Sequence, residues 1–270
     1  MSFMEGYMYK MLCLDLDDTL LMPDLTIPQE VCDALRELIA RGVLVTLATG
    51  RMFPSAQKYA RMVGITAPLV CYNGAVIRAA DDEKARFASF LPQQVVQRIF
   101  LLAAREGWYL QLYNDDRIVV AQRTEFTERD GDLLNAPCVE VGDLRRADLG
   151  PTPKIMTAGE PEALSVRLAL LRAELDDALY IATSKPYLLE MMDKGVSKAH
   201  SLDRLAQLSG ILPEEAVACG DSTNDAEMLA WAGVGCCMAN GLPSLKARAD
   251  YVCAKERSYG VLEVIQRFFK

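Results

Sequence analysis

The sequence MLCLDLDDTLL, at residues Met11–Leu21, is the most informative stretch for the fold class, because an apolar run changes there abruptly into acids. The run Met11–Leu16 predicts a buried strand. Residues i and i+2 of an extended chain share a face, so Asp15 and Asp17 are expected to present two carboxylates at the carboxyl end of this strand. That edge is where open α/β sheets bind their ligands.

The two carboxylates of Asp15 and Asp17 repel each other unless a cation lies between them or one keeps its proton. Hard oxygen ligands of this kind suit Mg²⁺, so both residues are candidate metal ligands. The alternative is a polar loop after a strand, since Asp and Thr also favour turns and caps. The DxD spacing has many accidental matches, and both interpretations stay open for this stretch alone.

Strands and helices alternate through the first 80 residues. Strands are predicted at Val43–Ala48 and Pro68–Tyr72, helices at Pro28–Arg41 and Pro54–Met62, and a turn at Asn73-Gly74. This order indicates parallel strands joined by right-handed crossovers. The same rhythm returns near the C-terminus. It gives helices at Ser197–Leu208, Asn224–Ala232 and Val261–Phe269, and strands at Ala216–Cys219, Val234–Met238 and Tyr251–Cys253.

The middle of the chain follows a different pattern. Strand-like runs lie at Arg86–Phe90, Trp108–Tyr113, Arg117–Gln122, Lys154–Thr157, Leu179–Thr183 and Tyr187–Met192, with helices at Gln93–Glu106 and Pro161–Asp176. Consecutive strands joined by turns favour an antiparallel sheet. We therefore predict an α/β fold. A Rossmann-like parallel-sheet core, residues 1–80 and 190–270, carries an inserted α+β cap domain at residues 81–189.

A second acidic stretch, GDSTND at Gly220–Asp225, follows a predicted strand and opens a helix. Asp221 and Asp225 are four residues apart, with the amide of Asn224 beside them. Acids at a helix N-terminus are often only caps. Two acidic strand ends in one parallel sheet are less easily explained as caps, so these three side chains are candidate metal ligands.

Two further stretches offer groups that bind anions. The second strand ends with Thr49, Gly50 and Arg51, which supply a hydroxyl, an exposed amide and a guanidinium. These groups can donate hydrogen bonds to a phosphate. The alternative is an ordinary strand-to-helix turn. Lys198 lies at a helix start, where the helix dipole disfavours a cation unless it faces an anion or carboxylates. The alternative there is a solvated surface lysine.

Together these stretches resemble the haloacid dehalogenase (HAD) superfamily of phosphatases, because DLDDTLL, ATGR, GVSK and GDSTND follow one another in order. The long insertion between ATGR and GVSK resembles the type IIB cap of the Cof-like branch in its length and its order of strands and helices. Asp18 stands where glycine is frequent in this superfamily. Lys194 is a rival for the motif lysine, but Lys198 completes GVSK.

The resemblance implies roles for these residues. Asp15 would be the nucleophile that forms an aspartyl-phosphate, and Asp17 would protonate the leaving alcohol and then deprotonate the attacking water. Lys198 would neutralise charge on the transferring group. The Mg²⁺ set would be Asp15, the backbone carbonyl of Asp17 and Asp221, with Asn224 and Asp225 in support. The phosphate-binding set would be Thr49, Gly50, Arg51, Lys198 and Asn224.

Composition excludes several classes of protein. Of 270 residues, 51% are hydrophobic and 24% are charged, which is ordinary for a globular protein. The net charge of −8 argues against a nucleic-acid-binding protein, because such proteins carry an excess of basic residues. The eight cysteines form no CxxC pair, and five lie in apolar strand-like runs, which favours a reducing compartment. The start MSFMEGYMYK is unlike a secretory signal, and no apolar run approaches the roughly 18 residues of a membrane span. We expect a cytoplasmic protein.

These observations favour a Mg²⁺-dependent phosphatase that acts on a small phosphorylated metabolite through an aspartyl-phosphate. Sugar phosphates are the leading class, followed by phosphorylated cofactors such as flavin or pyridoxal phosphates. A phosphosugar mutase and a non-catalytic phosphometabolite sensor are the alternatives. No motif reveals the oligomeric state.

Overall fold

The core of the protein is a parallel sheet in the computed structural model, which describes residues 9–128 and 136–270. Its strands are β1 (Met11–Leu14), β2 (Leu44–Leu47), β12 (Ala216–Gly220), β13 (Val234–Cys237) and β14 (Tyr251–Val252). They lie in the order β14-β13-β12-β1-β2, and every neighbouring pair is parallel. Because such a sheet is covered on both faces, its central strands are unbroken apolar runs.

Helices cover the two faces of this sheet. They are α1 (Gln29–Ala40), α2 (Phe53–Val63), α5 (Lys198–Leu208), α6 (Ala226–Trp231), α7 (Pro243–Lys246) and α8 (Arg257–Phe268). Leu12 and Leu14 of β1 pack in one apolar cluster with residues of α1, α2 and α8. Met11 and Cys13 pack in another with residues of α5 and α6. Alternate side chains of β1 thus enter opposite layers, which buries the whole strand.

The third predicted parallel strand is only marginally part of this sheet. β3 (Leu69–Cys71) meets the end of β2 through a single bridge between Ala48 and Val70. A turn at Tyr72–Gly74 then reverses the chain. As a result β3, β4 (Val76–Arg78) and β5 (Phe87–Ala88) form an antiparallel sheet of their own.

The inserted residues build a third sheet, which has six strands in the order β10-β11-β9-β6-β7-β8. Its elements are α3 (Gln93–Glu106), β6 (Gln111–Asn114), β7 (Arg117–Val120), β8 (Cys138–Glu140), β9 (Lys154–Ala158), α4 (Pro161–Leu175), β10 (Leu179–Lys185) and β11 (Leu188–Asp193). All pairs are antiparallel except β7 with β8, a strand the sequence pattern did not reveal. The α3 and α4 helices share an apolar cluster with one face of the sheet.

The other face of the six-stranded sheet turns towards the core. Tyr113 and Met156 of this face belong to the same buried cluster as Met52 and Tyr72. The predicted fold class, a parallel-sheet core with an α+β insertion, is confirmed. The domain boundaries stay a prediction, and the one expected between residues 189 and 190 falls inside β11.

No helix among the described residues is both long enough and apolar enough to cross a bilayer. The first eight residues, on which the argument against a secretory signal depends, lie outside the described residues.

Candidate active site

Three carboxylates meet at the carboxyl ends of two neighbouring strands. Asp15 follows β1 and Asp221 follows β12, and these strands are paired in the sheet. Asp15, Asp221 and Asp225 each offer an oxygen within 4.8 Å of the others. Asp15 and Asp225 are buried, and Asp221 is half-buried. The two acidic stretches of the sequence therefore form one cluster.

Lys198 lies beneath this cluster and bonds to two of its members. Its Nζ donates to Oδ1 of Asp15 and to Oδ1 of Asp225, each at 2.6 Å, and its side chain is completely buried. Burial by itself would lower the pKa of Lys198, but the attraction of Asp15 and Asp225 outweighs it and raises that pKa. The side chain is therefore a permanent ammonium among carboxylates. Lys194, the rival lysine, instead donates to the carbonyl of Asp176, away from the cluster.

Local structure explains why Lys198 can begin a helix. Ser197 caps α5, because its hydroxyl accepts from the backbone N–H of His200 at 3.2 Å. The turn at Gly74 lies directly against this helix end: a Cβ built on Gly74 would lie 2.2 Å from the carbonyl oxygen of Ser197, and the φ of Gly74 is +109°. Only glycine allows this close approach. The Asn73-Gly74 turn thus fixes the position from which Lys198 reaches the cluster.

The charges of the cluster do not balance. Burial, followed by the nearby carboxylates of Asp225 and Asp221, raises the pKa of Asp15 despite the lowering effect of Lys198. Burial and Asp225 raise the pKa of Asp221 to about 7. Three carboxylates face one ammonium, and their hard oxygens lie close enough to share one ion. This donor set fits Mg²⁺, which would supply the missing positive charge.

Asp225 has a different environment from the other two acids. Its Oδ2 accepts from the backbone N–H groups of Asp221 and Ser222, at 2.9 and 3.0 Å, while Oδ1 accepts from Lys198. A Cβ on Gly220 would lie 2.5 Å from the Cβ of Asp225, so glycine is needed there for the carboxylate to fold back under the loop. Asp225 thereby holds the loop that carries Asp221.

Asp17 reaches the site from the turn after β1. The strand ends at Leu14, two residues earlier than the pattern indicates, but Asp15 and Asp17 both keep extended backbone angles and Leu16 between them is buried. Both acids line the same cavity. Arg51 donates to both oxygens of Asp17, from Nη2 at 2.6 Å and from Nε at 2.8 Å.

Besides Lys198, the residues predicted to bind phosphate line the same cavity as Asp15 and Asp17. Thr49 is buried, and its hydroxyl accepts from the backbone N–H of Arg51 at 3.1 Å. The guanidinium of Arg51, which the sequence offered as a phosphate ligand, is instead engaged with Asp17 and, through Nη1, with Ser55 at 3.0 Å. The amide of Asn224 donates to Oδ1 of Asn73 at 3.0 Å.

A cavity of about 440 Å³ opens above the cluster, between the core and the six-stranded sheet. The core lines it with Asp15, Asp17, Asp18, Thr49, Gly50, Arg51, Met52, Asp221, Ser222 and Asn224. The inserted residues line it with Tyr113, Lys154, Met156, Lys185, Tyr187, Leu188 and Glu190. Of this second group, only Tyr113 was considered as a pocket residue from the sequence, where packing between the insertion and the core was the favoured interpretation; the other six were assigned to no site.

Lys154 and Glu190 form a buried ion pair at the base of the six-stranded sheet. Lys154 Nζ donates at 2.7 Å to Glu190 Oε1 and at 2.7 Å to the carbonyl of Gly50. Glu190 Oε2 accepts from the amide of Asn73 at 2.9 Å, and Asn73 in turn accepts from Asn224. This network joins the inserted sheet to the loop of Thr49, Gly50 and Arg51, which is predicted to bind phosphate. In the sequence, Lys154 opens one apolar strand-like run and Glu190 lies inside another.

The chain matches the model of the haloacid dehalogenase-like hydrolases over residues 12–265. It is 30% identical to the 5-amino-6-(5-phospho-D-ribitylamino)uracil phosphatase YitU of Bacillus subtilis, over 96% of this chain and 97% of that protein. A haloacid dehalogenase-like hydrolase from Bacteroides thetaiotaomicron has a TM-score of 0.88 at 27% identity, covering 97% of this chain and 100% of that one.

The structure of the HAD subclass IIB sugar phosphatase BT4131 has the same fold. Its TM-score is 0.81 at 24% identity, and the match covers 96% of this chain and 98% of that one. The chain therefore belongs to the haloacid dehalogenase-like hydrolases, and the prediction of a phosphoric monoester hydrolase of this superfamily is confirmed.

Proposed function

We propose that the protein is a Mg²⁺-dependent phosphatase that hydrolyses a small phosphorylated metabolite, with sugar phosphates as the leading class, through an aspartyl-phosphate. One observation carries the proposal: Asp15, hydrogen-bonded to Lys198 at 2.6 Å, lies beside Asp221 at the floor of a cavity of about 440 Å³. An activated carboxylate, a buried cation and a small enclosed space are what phosphoryl transfer to an aspartate requires.

In the first half-reaction, a carboxylate oxygen of Asp15 attacks phosphorus and the bond to the leaving alcohol oxygen breaks. Asp17 gives that oxygen a proton. In the second half-reaction, Asp17 takes a proton from water, the water oxygen attacks phosphorus, and the bond to Asp15 breaks with release of inorganic phosphate. The positions of both acids on one side of the cavity support these roles.

Lys198, the Thr49 hydroxyl and the Gly50 amide supply positive charge and N–H or O–H donors for the phosphoryl oxygens. Asn224 and Arg51 line the same cavity. Asp15, Asp221 and the Asp17 carbonyl would hold Mg²⁺, with Asp225 and Asn224 in support. When bound, Mg²⁺ offsets the repulsion between the anionic nucleophile and the anionic phosphate. Asp225 holds the Asp221 loop through two backbone N–H groups.

The inserted residues act in this proposal as a cap. Their sheet closes the cavity with Tyr113, Met156 and Leu188, apolar or amphipathic side chains that exclude bulk water from the reacting atoms. A cavity of this size takes a small metabolite and leaves no room for a folded phosphoprotein. We also retain the cytoplasmic location as a proposal, supported by seven buried free thiols.

The test is release of inorganic phosphate from a broad panel of phosphorylated metabolites, with Mg²⁺ and with EDTA. We expect Mg²⁺-dependent release that Asp15→Asn abolishes while the fold, followed by circular dichroism, is kept. Asp81→Asn, an exposed acid outside the site, serves as the matched control and should retain turnover. Normal turnover in the Asp15→Asn protein would refute the mechanism.

The same assay separates the alternatives. A phosphosugar mutase retains the phosphoryl group, so release in proportion to substrate consumed excludes it. A non-catalytic sensor binds phosphorylated metabolites but releases phosphate from none of them.

A further inference from the structure

Three cationic side chains line the cavity wall among the described residues: Arg51, Lys154 and Lys185. The first two are buried and fully engaged. Arg51 is bound through three of its nitrogens, two of them to Asp17, and Lys154 is bound to Glu190 and to a backbone carbonyl. Lys154 cannot turn to a ligand without leaving the buried carboxylate of Glu190 without its cation, which is costly. The buried guanidinium of Arg51 would have to give up three hydrogen bonds to do so.

Lys185 is in a different situation. It ends β10, and its Nζ donates at 2.7 Å to Oδ2 of Asp18, its one hydrogen-bond partner among the described residues. The two side chains are 37% and 35% exposed. An ion pair with this much contact with water is weak, because solvent screens it and both partners keep part of their hydration. Another anion in the cavity can therefore compete for the ammonium group.

Asp18 does not depend on Lys185 for its compensation. Its Oδ1 accepts from Nε and Nη2 of Arg257, at 3.2 and 3.1 Å, and its backbone carbonyl accepts from Asn240 at 2.7 Å. When Lys185 turns away, the carboxylate of Asp18 remains paired with Arg257. The exchange of partner thus leaves no isolated charge behind.

The rest of the cavity wall is hostile to a second anion. Asp15, Asp17, Asp18, Asp221 and Glu190 all contribute to it. The phosphoryl group that is hydrolysed has its own cations. A further negative charge elsewhere on the substrate needs one more cation that is free to move, and Lys185 is the cavity lysine that meets this condition.

We propose that Lys185 is a specificity-determining residue that binds a second anionic group of the substrate, a carboxylate or a phosphate remote from the phosphoryl group that is hydrolysed. This inference rests on the proposed function and narrows its substrate class to small phosphorylated metabolites that carry a further negative charge.

The experiment compares matched pairs of compounds: glucose 6-phosphate with 6-phosphogluconate, and fructose 6-phosphate with fructose 1,6-bisphosphate. In the Lys185→Met protein, we expect KM to rise about tenfold for 6-phosphogluconate and fructose 1,6-bisphosphate, the two compounds with a second anionic group. This is the scale of one hydrogen bond to a charged group. Their kcat, and both constants for the two simple sugar phosphates, should stay close to the wild-type values. Lys194→Met removes an exposed lysine outside the cavity and should change none of the four.

A second variant distinguishes substrate binding from a contact that merely holds the cap closed. Asp18→Asn removes the negative charge that competes for Lys185 and keeps Arg257 in place. The two compounds with a second anionic group should therefore bind as well as before or better. If Asp18→Asn and Lys185→Met instead weaken all four compounds equally, Lys185 only fastens the cap and the proposal is overturned.

Calorimetry on the Asp15→Asn protein separates this proposal from the proposed function. The same four compounds are titrated into Asp15→Asn and into Asp15→Asn/Lys185→Met. A selective loss of affinity of about tenfold for the two compounds with a second anionic group supports the role of Lys185, even if the wild-type enzyme releases phosphate from none of the four. The proposal is overturned if the two proteins bind each compound equally well, or if the Asp15→Asn protein has no preference for the compounds with a second anionic group. Either result overturns it even if phosphatase activity is found.

Discussion

Arg51 binds both carboxylate oxygens of Asp17, with Nη2 at 2.6 Å from Oδ1 and Nε at 2.8 Å from Oδ2. Arg51 is itself held by Ser55, and only 5% of its surface is exposed. A planar, buried guanidinium with two parallel bonds fixes the orientation of the carboxylate it faces. We therefore expect Arg51 to position the carboxylate of Asp17, the proposed acid and base, while its role as a phosphate ligand stays a prediction.

Replacement of Arg51 by lysine tests this role. Arg51→Lys keeps a positive charge but loses the paired N–H geometry. We expect kcat to fall about 100-fold, within the contribution of a positioned acid–base group. KM should change little. Steady-state kinetics on the best substrate of the panel measures both, and Arg61→Lys, a change at an exposed position of α2, is the control. A large rise in KM at unchanged kcat would instead make Arg51 a phosphate ligand.

The sequence predicts the core well for a physical reason. Parallel strands buried on both faces read as unbroken apolar runs, and the first polar residue after each marks the edge where ligands bind. Asp15 and Asp221 were found in this way. The β8 strand was missed because it is three residues long and half-buried at the edge of its sheet, so it carries little hydrophobic pattern.

The cap side of the cavity could not be predicted in the same way. Lys185 and Asp18 are 167 residues apart, and no local pattern records that they meet. Asp18 stands where the superfamily frequently has glycine, and its φ of +59° explains why glycine suits the position. The aspartate keeps that backbone conformation and adds a carboxylate that contacts the inserted residues.

Mg²⁺ should stabilise the folded protein through the carboxylate cluster, because three acids there face one ammonium. We expect saturating Mg²⁺ to raise the melting temperature by about 5 °C, since a ligand bound only by the native state shifts unfolding by mass action. Asp221→Asn should remove most of this rise, and Asp81→Asn should keep it. Differential scanning fluorimetry with Mg²⁺ and with EDTA measures the shift without reference to activity. An unchanged shift in Asp221→Asn would place the ion elsewhere.

The buried pair of Lys154 and Glu190 should contribute strongly to stability only while both partners are present. Lys154→Met leaves the carboxylate of Glu190 buried without its cation, which should lower the free energy of unfolding by about 3 kcal/mol. The double variant Lys154→Met/Glu190→Met removes both charges and should recover much of that loss. Urea unfolding followed by circular dichroism measures the three proteins.

An exposed ion pair in the same part of the chain provides the comparison. Arg105 and Glu174 join α3 to α4 at 2.9 Å, with side chains 56% and 40% exposed. Arg105→Met should cost less than about 1 kcal/mol, because solvent already screens that pair. Equal losses for Lys154→Met and Arg105→Met would show that burial adds nothing to the Lys154–Glu190 interaction.

Gly74→Ala should harm catalysis as well as stability, because a methyl group there collides with the carbonyl of Ser197 at the start of α5. Any relief of this contact moves the helix end that carries Lys198. Gly64 provides a matched control: its φ is +90°, but nothing lies within 4 Å of a Cβ built on it. Gly64→Ala therefore isolates the backbone cost of a positive φ, about 1–2 kcal/mol.

We expect Gly74→Ala to lower the free energy of unfolding by more than Gly64→Ala does, and to reduce kcat while Gly64→Ala leaves it unchanged. Urea unfolding and phosphate release on the same preparations give both quantities. Equal stability losses, together with wild-type kcat in the Gly74→Ala protein, would mean that the contact between the turn and α5 does not position Lys198.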